Sequence, residues 1–145
     1  MKILITGISG FIGSNLVSYF ASSVNRAIFG LDIESRNTEH VDEIFKWNEL
    51  NILPEVDSII HLAGKAHDTK NQTNAEAYFE INTGLTKKIY DWFLKSNAKK
   101  FIFFSSVKAA ADHVDGEFLT EEIIPAPKGP YGESKIAAEN YILEN

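Results

Sequence analysis

Apolar residues along this chain come in short runs, and the stretches between the runs change to a helical period. Ile3-Leu4-Ile5 is the first run, a strand buried on both faces. Phe11, Leu16, Val17 and Phe20 then follow at helical spacing. Arg26–Asp32 reads as a second strand, Ile44–Trp47 as the centre of a third, Asp57–Ala63 as a fourth and Phe101–Ser106 as a fifth. Asn37–Asn51 is expected to hold a short polar helix before the third strand, and Pro54-Glu55 a turn after it. Ala77, Tyr78, Ile81, Leu85, Ile89, Trp92 and Phe93 mark a long helix over Ala75–Asn97. Pro130 suits a first helical turn and opens a last helix running to Asn145. Strands alternating with helices five times predict an α/β fold with a doubly wound parallel sheet, Rossmann-like, joined by right-handed crossovers. No repeat or internal boundary interrupts the pattern, so residues 1–145 are expected to form one domain.

Composition narrows the function classes. A net charge of −6 disfavours nucleic acid or an anionic membrane as a partner. The absence of cysteine removes disulfides and thiolate chemistry and fits a reducing compartment. No apolar stretch approaches a membrane span, and the N-terminus enters a strand at once, so a cytoplasmic location is expected. His40, His61, His67 and His113 lack metal-ligand spacing, so no metal is expected, and His61 inside a strand reads as a buried, hydrogen-bonded residue.

The first candidate site lies where the first strand ends. Gly7, Gly10 and Gly13 separate that strand from the helix that follows, which aims the helix's free N–H groups and its positive end at whatever lies above the strand. A phosphate or pyrophosphate fits that place. No Gly-Lys-Ser/Thr closes the motif, which disfavours a Walker-type loop. Asp32 stands 19 residues beyond Gly13 at the end of the second strand, where a dinucleotide-binding βαβ unit places the acid for the adenosine ribose. A carboxylate there repels a 2′-phosphate and favours NAD over NADP, a preference that Arg36 could offset. Asn48 could border the adenine or simply serve a turn, and Trp47 reads as packing. Ala63-Gly64 are small enough to let a flat cofactor approach the backbone. Lys65–Asn74 reads as an exposed loop.

The second candidate site is Tyr131-Gly-Glu-Ser-Lys135, preceded by Ser105-Ser106. Tyrosine and lysine four apart share one helix face. A free phenol has a pKa of about 10 and is a poor base at neutral pH. An ammonium one turn away, with the positive end of the helix, stabilises a phenolate. Ser106 at a strand end can bond the same substrate oxygen. Such a group suits proton transfer at an oxygen while a nicotinamide exchanges hydride with the attached carbon.

Thr6-Gly-Ile-Ser-Gly-Phe-Ile-Gly13, His61-Leu-Ala-Gly64, Ser105-Ser-Val-Lys108 and Tyr131-Gly-Glu-Ser-Lys135 together resemble the extended short-chain dehydrogenase/reductases. Within them the chain looks most like the NAD-dependent epimerase/dehydratase group acting on nucleotide sugars. Glu117-Phe-Leu-Thr-Glu-Glu, with the prolines after it, adds to this resemblance. The resemblance implies that Gly7, Gly10, Phe11, Ile12 and Gly13 hold the pyrophosphate, Asp32 the ribose, and Leu62, Ala63 and Gly64 the middle of the cofactor. It implies that Ser106 orients the sugar hydroxyl, that Tyr131 acts as acid and base, and that Lys135 binds the nicotinamide ribose and tunes the tyrosine. Lys108 is a weaker substrate-facing candidate.

Two departures bear on the substrate side. The family's Asn-x-x-Gly-Thr stands here as Asn82-Thr-Gly-Leu-Thr86, and Ala109-Ala-Ala-Asp112 replaces the Tyr-Gly that usually follows the serines. Members of the family run about twice as long. This chain is therefore expected to be the cofactor-binding half of such an enzyme, with the C-terminal substrate domain absent and no turnover by itself. An epimerase or 4-keto-sugar reductase is favoured over a dehydratase, since Val107-Lys108 offers no acid beside the serines. A non-catalytic dinucleotide sensor is the alternative from another class. The resemblance also implies a homodimer formed through residues 75–97 and 130–145.

Overall fold

The computed structural model describes residues 1–22, 25–34, 39–66, 74–114 and 116–145. Arg36, His67 and most of the Lys65–Asn74 loop lie outside the described residues. The described chain forms two compact units, one of Met1–Ala63 with Ile89–Phe104, the other of Gly64–Lys88 with Ser105–Asn145.

The first unit holds the whole sheet. Strands β1 (Lys2–Thr6), β2 (Ala27–Asp32), β3 (Glu43–Lys46), β4 (Ser58–His61) and β5 (Lys100–Phe103) are all parallel, in the order β3-β2-β1-β4-β5. β1 is central, and its register sets Leu4 opposite Phe29 on one side and Ile59 on the other. Side chains alternate across the sheet. Ile3, Ile5, Ile28 and Ile60 pack with Val17 of helix α1 (Phe11–Ala21). Leu4, Leu31, Phe45 and Ile59 pack on the opposite face with Ile89 of helix α3 (Leu85–Lys95). Both faces are thus covered, which is why the strands read as unbroken apolar runs.

Strand bounds fall within a few residues of the predicted ones, with two informative shifts. β5 ends at Phe103, so Ser105 and Ser106 are not strand residues. The alternation of strands and helices is also less complete than the periodicity predicts. Among the described residues, the β2–β3 connection carries no helix and the β3–β4 connection carries a single 3-10 turn, Leu50–Ile52. Residues 39–42 offer no apolar stripe from which an α-helix could gain by packing. Trp47 and Asn48 form a turn closed by Glu49, which donates its N–H to Lys46 O at 2.9 Å. Trp47 packs in the second core cluster, as expected of a packing residue.

His61 is buried, with its Nδ1 2.5 Å from Thr6 Oγ1 and its ring stacked on Phe103. The same threonine oxygen accepts the Ala63 N–H at 3.0 Å, which ties the exit of β4 to the end of β1.

The second unit is helical. Helix α2 (Ala75–Tyr78) runs into a π-helical segment, Phe79–Gly84, and then into α3, whose Ile89–Lys95 portion belongs to the first unit. Ala75–Asn97 is therefore helical nearly as predicted, but wound wider in its middle. Helix α4 (Val107–Ala110) is one turn, and α5 (Pro130–Glu144) matches the predicted last helix.

Leu4 is wholly buried at the centre of the sheet. Leu4→Ala is expected to cost about 3 kcal/mol of unfolding free energy, read as a lower denaturant midpoint at unchanged slope.

Candidate active site

In the first unit, the β1–α1 turn is built on close backbone approach. Gly7 has φ +67°, and a Cβ there would stand 2.8 Å from the Ala63 backbone. A Cβ on Gly13 would stand 2.5 Å from Ile8 O and 2.6 Å from Gly7 O. Neither position accepts a side chain without moving main chain, so the glycines let α1 begin directly over the end of β1. Gly7 donates its N–H to Leu31 O at 2.8 Å, and Gly10 donates to Gly7 O at 3.0 Å.

Gly10 is the N-cap of α1, and the first turn has neither a side-chain cap nor an acidic residue. Phe11 is 85% exposed and Ile12 46% exposed. An eleven-residue helix thus presents its positive end without an internal anion. Asp32 closes β2 beside this turn. Its Oδ2 accepts the Ser9 N–H at 2.9 Å and its Oδ1 the Ile33 N–H at 2.8 Å. The predicted residues Gly7, Gly10, Phe11, Ile12, Gly13, Asp32, Leu62 and Ala63 therefore gather at the carboxyl ends of β1, β2 and β4, where open α/β sheets bind ligands.

In the second unit, Tyr131 and Lys135 lie one turn apart on α5. Lys135 is 7% exposed. Burial pulls its ammonium down from 10.5 to a pKa of about 8, against the opposing charge of Glu139. Tyr131 is half-buried, with its ring 6.1 Å from that of Tyr78 and edge-on to it. Ser106 caps α4 by accepting the Lys108 N–H at 3.2 Å, a bond that uses its oxygen and leaves its proton for donation. Lys108 turns back to Asp112, with Nζ 2.9 Å from Oδ1 and 3.0 Å from the carbonyl oxygen. That bond holds the Asp112 carboxyl below the usual carboxylate range. The Ala109–Asp112 departure thus takes the form of a helical turn with Ala109 buried, locked at its end by an ion pair.

Two residues that the sequence reading did not single out as site residues hold this arrangement together. Asn82, in the π-helical segment and fully buried, accepts the Lys65 N–H at 2.7 Å through Oδ1. Its Nδ2 donates to Lys65 O at 3.3 Å and to Ser134 Oγ at 3.0 Å. Ser134 donates in turn to Tyr131 O at 2.8 Å, and its own carbonyl accepts from Thr83 Oγ1 at 2.8 Å. One carboxamide therefore fixes the segment after Gly64 and the turn of α5 between Tyr131 and Lys135. Gly64 permits it, since a Cβ there would stand 3.0 Å from Asn82 Oδ1 and 3.6 Å from Lys135 Nζ. The available signal was the polar group Asn82, Thr83 and Thr86, all buried within the helical stretch, and π-helical bulges recur at functional sites.

Residues 3–144 match the family model described as the NAD dependent epimerase/dehydratase family. The chain belongs to that family. UDP-glucose 4-epimerase from Vibrio cholerae is 30% identical over 155 residues, covering 98% of this chain and 46% of that protein. Among solved structures, MoeE5 in complex with UDP-glucuronic acid and NAD aligns at a TM-score of 0.85 and 25% identity, covering 99% of this chain and 49% of that one. The UDP-Glc/GlcNAc 4-epimerase of Campylobacter jejuni aligns at 0.83 and 25%, covering 99% and 48%. The chain spans about half the length of the curated relatives it matches. As in other members of the NAD-dependent epimerase/dehydratase family, the fold is a parallel Rossmann-like sheet. No described helix is long and apolar enough to cross a membrane.

A buried amine with a lowered pKa binds fewer protons in the folded state than in the unfolded one between pH 8 and 10.5. Stability from this group therefore rises with pH across that window. The difference in unfolding free energy between the wild type and Lys135→Met is expected to grow in favour of the wild type from about pH 8 to 10.5, measured by denaturant titration.

Proposed function

We propose that this chain, residues 1–145, is the NAD-binding domain of a nucleotide-sugar epimerase or 4-keto-sugar reductase. The observation that carries the reading is the β1–α1 turn. Three glycines place an uncapped helix N-terminus over the sheet, with Asp32 hydrogen-bonded to the Ser9 amide of the same turn. That cradle fits a dinucleotide: backbone N–H groups and the helix dipole suit a pyrophosphate, and a strand-end carboxylate suits ribose hydroxyls. Gly7, Gly10, Phe11, Ile12 and Gly13 would hold the pyrophosphate, Asp32 the adenosine ribose, and Leu62, Ala63 and Gly64 the middle of the cofactor. Bound NAD would supply the hydride acceptor and donor.

The remaining chemistry falls to the chain's own side chains. Tyr131 takes a proton from the sugar hydroxyl or returns one to the carbonyl oxygen. Ser106, whose hydroxyl proton is uncommitted by its capping bond, donates to the same oxygen. Lys135, buried on the Tyr131 face of α5, would stabilise a phenolate there and would hold the nicotinamide ribose. The presence of both Tyr131 and Lys135 weighs against a non-catalytic sensor. Asp112 is engaged by Lys108, and Glu133 accepts the Gly129 N–H at 3.2 Å. Val107-Lys108 places no acid directly after the serine pair, which favours epimerase or reductase chemistry over dehydration.

Calorimetric titration of the chain with NAD and with NADP tests the cofactor reading. NAD is expected to bind about tenfold tighter or more, and Asp32→Ala to lose most of that preference, a difference of about 1.4 kcal/mol. Tighter NADP binding, or binding of neither, counts against it.

We also propose a homodimer through residues 75–97 and 130–145, where Leu94 and Leu143 are exposed. Light scattering at micromolar concentration is expected to give the mass of two chains, and the mass of one chain overturns it.

A further inference from the structure

Tyr131, Lys135 and Glu139 recur every fourth residue and so occupy successive turns of one face of α5. The first two are assigned above to proton transfer, and the third has no part in that reading. Lys135 is 7% exposed, and a buried ammonium is costly unless an opposite charge faces it. Glu139 is that charge. It lies one turn beyond Lys135 and is the influence that favours the charged amine. Its carboxylate is also held in place, because Ser105 donates its hydroxyl to Glu139 Oε1. Ser105 immediately precedes Ser106, the cap of α4, so the hydrogen bond ties this carboxylate to the serine pair.

The segments around the amine, with Gly64 near enough that a Cβ there would stand 3.6 Å from Lys135 Nζ, carry other titratable groups. Tyr131 lies one turn before it on α5. Lys65 follows Gly64 and carries its Nζ 5.6 Å from the centre of the Tyr78 ring. Tyr78 itself packs edge-on to Tyr131. Of these groups and Glu139, only Glu139 is a carboxyl group.

We propose that Glu139, anchored by Ser105, is a positioning residue for Lys135, supplying the counter-charge that keeps the buried amine an ammonium on the face it shares with Tyr131. The proposal rests on the reading of Lys135 as the ammonium that assists Tyr131. It also gives separate work to the two adjacent serines, with Ser105 holding the carboxylate and Ser106 facing substrate.

The test reads the amine directly and needs neither cofactor nor turnover. Only the neutral amine reacts with acetic anhydride, so the pH dependence of Lys135 acetylation, followed by peptide mass spectrometry on the folded chain, reports its ionisation. Glu139→Gln is expected to move the midpoint down by about half a pH unit or more. Glu139→Asp restores part of the shift, and Ser105→Ala shifts the midpoint the same way by less. An unchanged midpoint in folded Glu139→Gln overturns the proposal. Should that variant fail to fold by circular dichroism, an unchanged midpoint in Ser105→Ala overturns it instead. A purely structural role for Glu139 would alter melting without moving the midpoint. Failure of the NAD titration would strike the functional reading alone, since the labelling is done without cofactor.

Discussion

The first unit depends on how closely its backbone can pack where β1 turns into α1. At Gly7 and Gly13 the space that a Cβ would fill is already taken by main-chain atoms of Ala63, Ile8 and Gly7. Removing those two side chains lets the helix start within one tight turn of the strand. The same turn then engages the ends of both neighbouring strands: Gly7 bonds the Leu31 carbonyl of β2, and Ala63 beyond β4 bonds Thr6. Three parallel strands are thereby aligned at their carboxyl ends, and Asp32 is delivered to the Ser9 amide. A substitution that forced this turn open would disturb sheet register and candidate binding site together.

The second unit is organised by a polar device as well as by close packing. Asn82 is buried without access to water, so its amide must be satisfied internally. The backbone of Lys65 and the hydroxyl of Ser134 satisfy it. Winding the helix more widely over Phe79–Gly84 is what brings Asn82 and Thr83 to α5 on consecutive positions. Leaving such an amide unpaired is expensive, and that expense makes the placement of Tyr131 and Lys135 specific. Gly132 contributes from the other side of α5, where a Cβ would stand 2.3 Å from the Lys108 carbonyl oxygen.

Much of this was legible in the residues. The apolar runs, the glycine spacing and the strand-end aspartate give a Rossmann-like parallel sheet, because strands buried on both faces and a turn without room for Cβ atoms both leave compositional traces. His61 read as a buried, hydrogen-bonded residue and Trp47 as packing, and the structure places both so. Less legible were the segments whose structure has no apolar signature. The helix expected between the second and third strands is not found among the described residues, and Ser106 proved to cap a helix rather than end a strand.

What the sequence determined by itself was the class of fold and the identity of the chemical groups. Periodicity reports which faces are buried, and a dinucleotide loop or a Tyr-x-x-x-Lys helix needs particular residue types at particular spacings. The tertiary structure decided the partners. That Asn82 would grip Lys65 and Ser134, that Lys108 would turn to Asp112, and that Ser105 would hold Glu139 all depend on side chains from separate segments meeting at hydrogen-bonding distance. A linear pattern records the period of each element, but not which polar atom will be left facing which once the elements are packed.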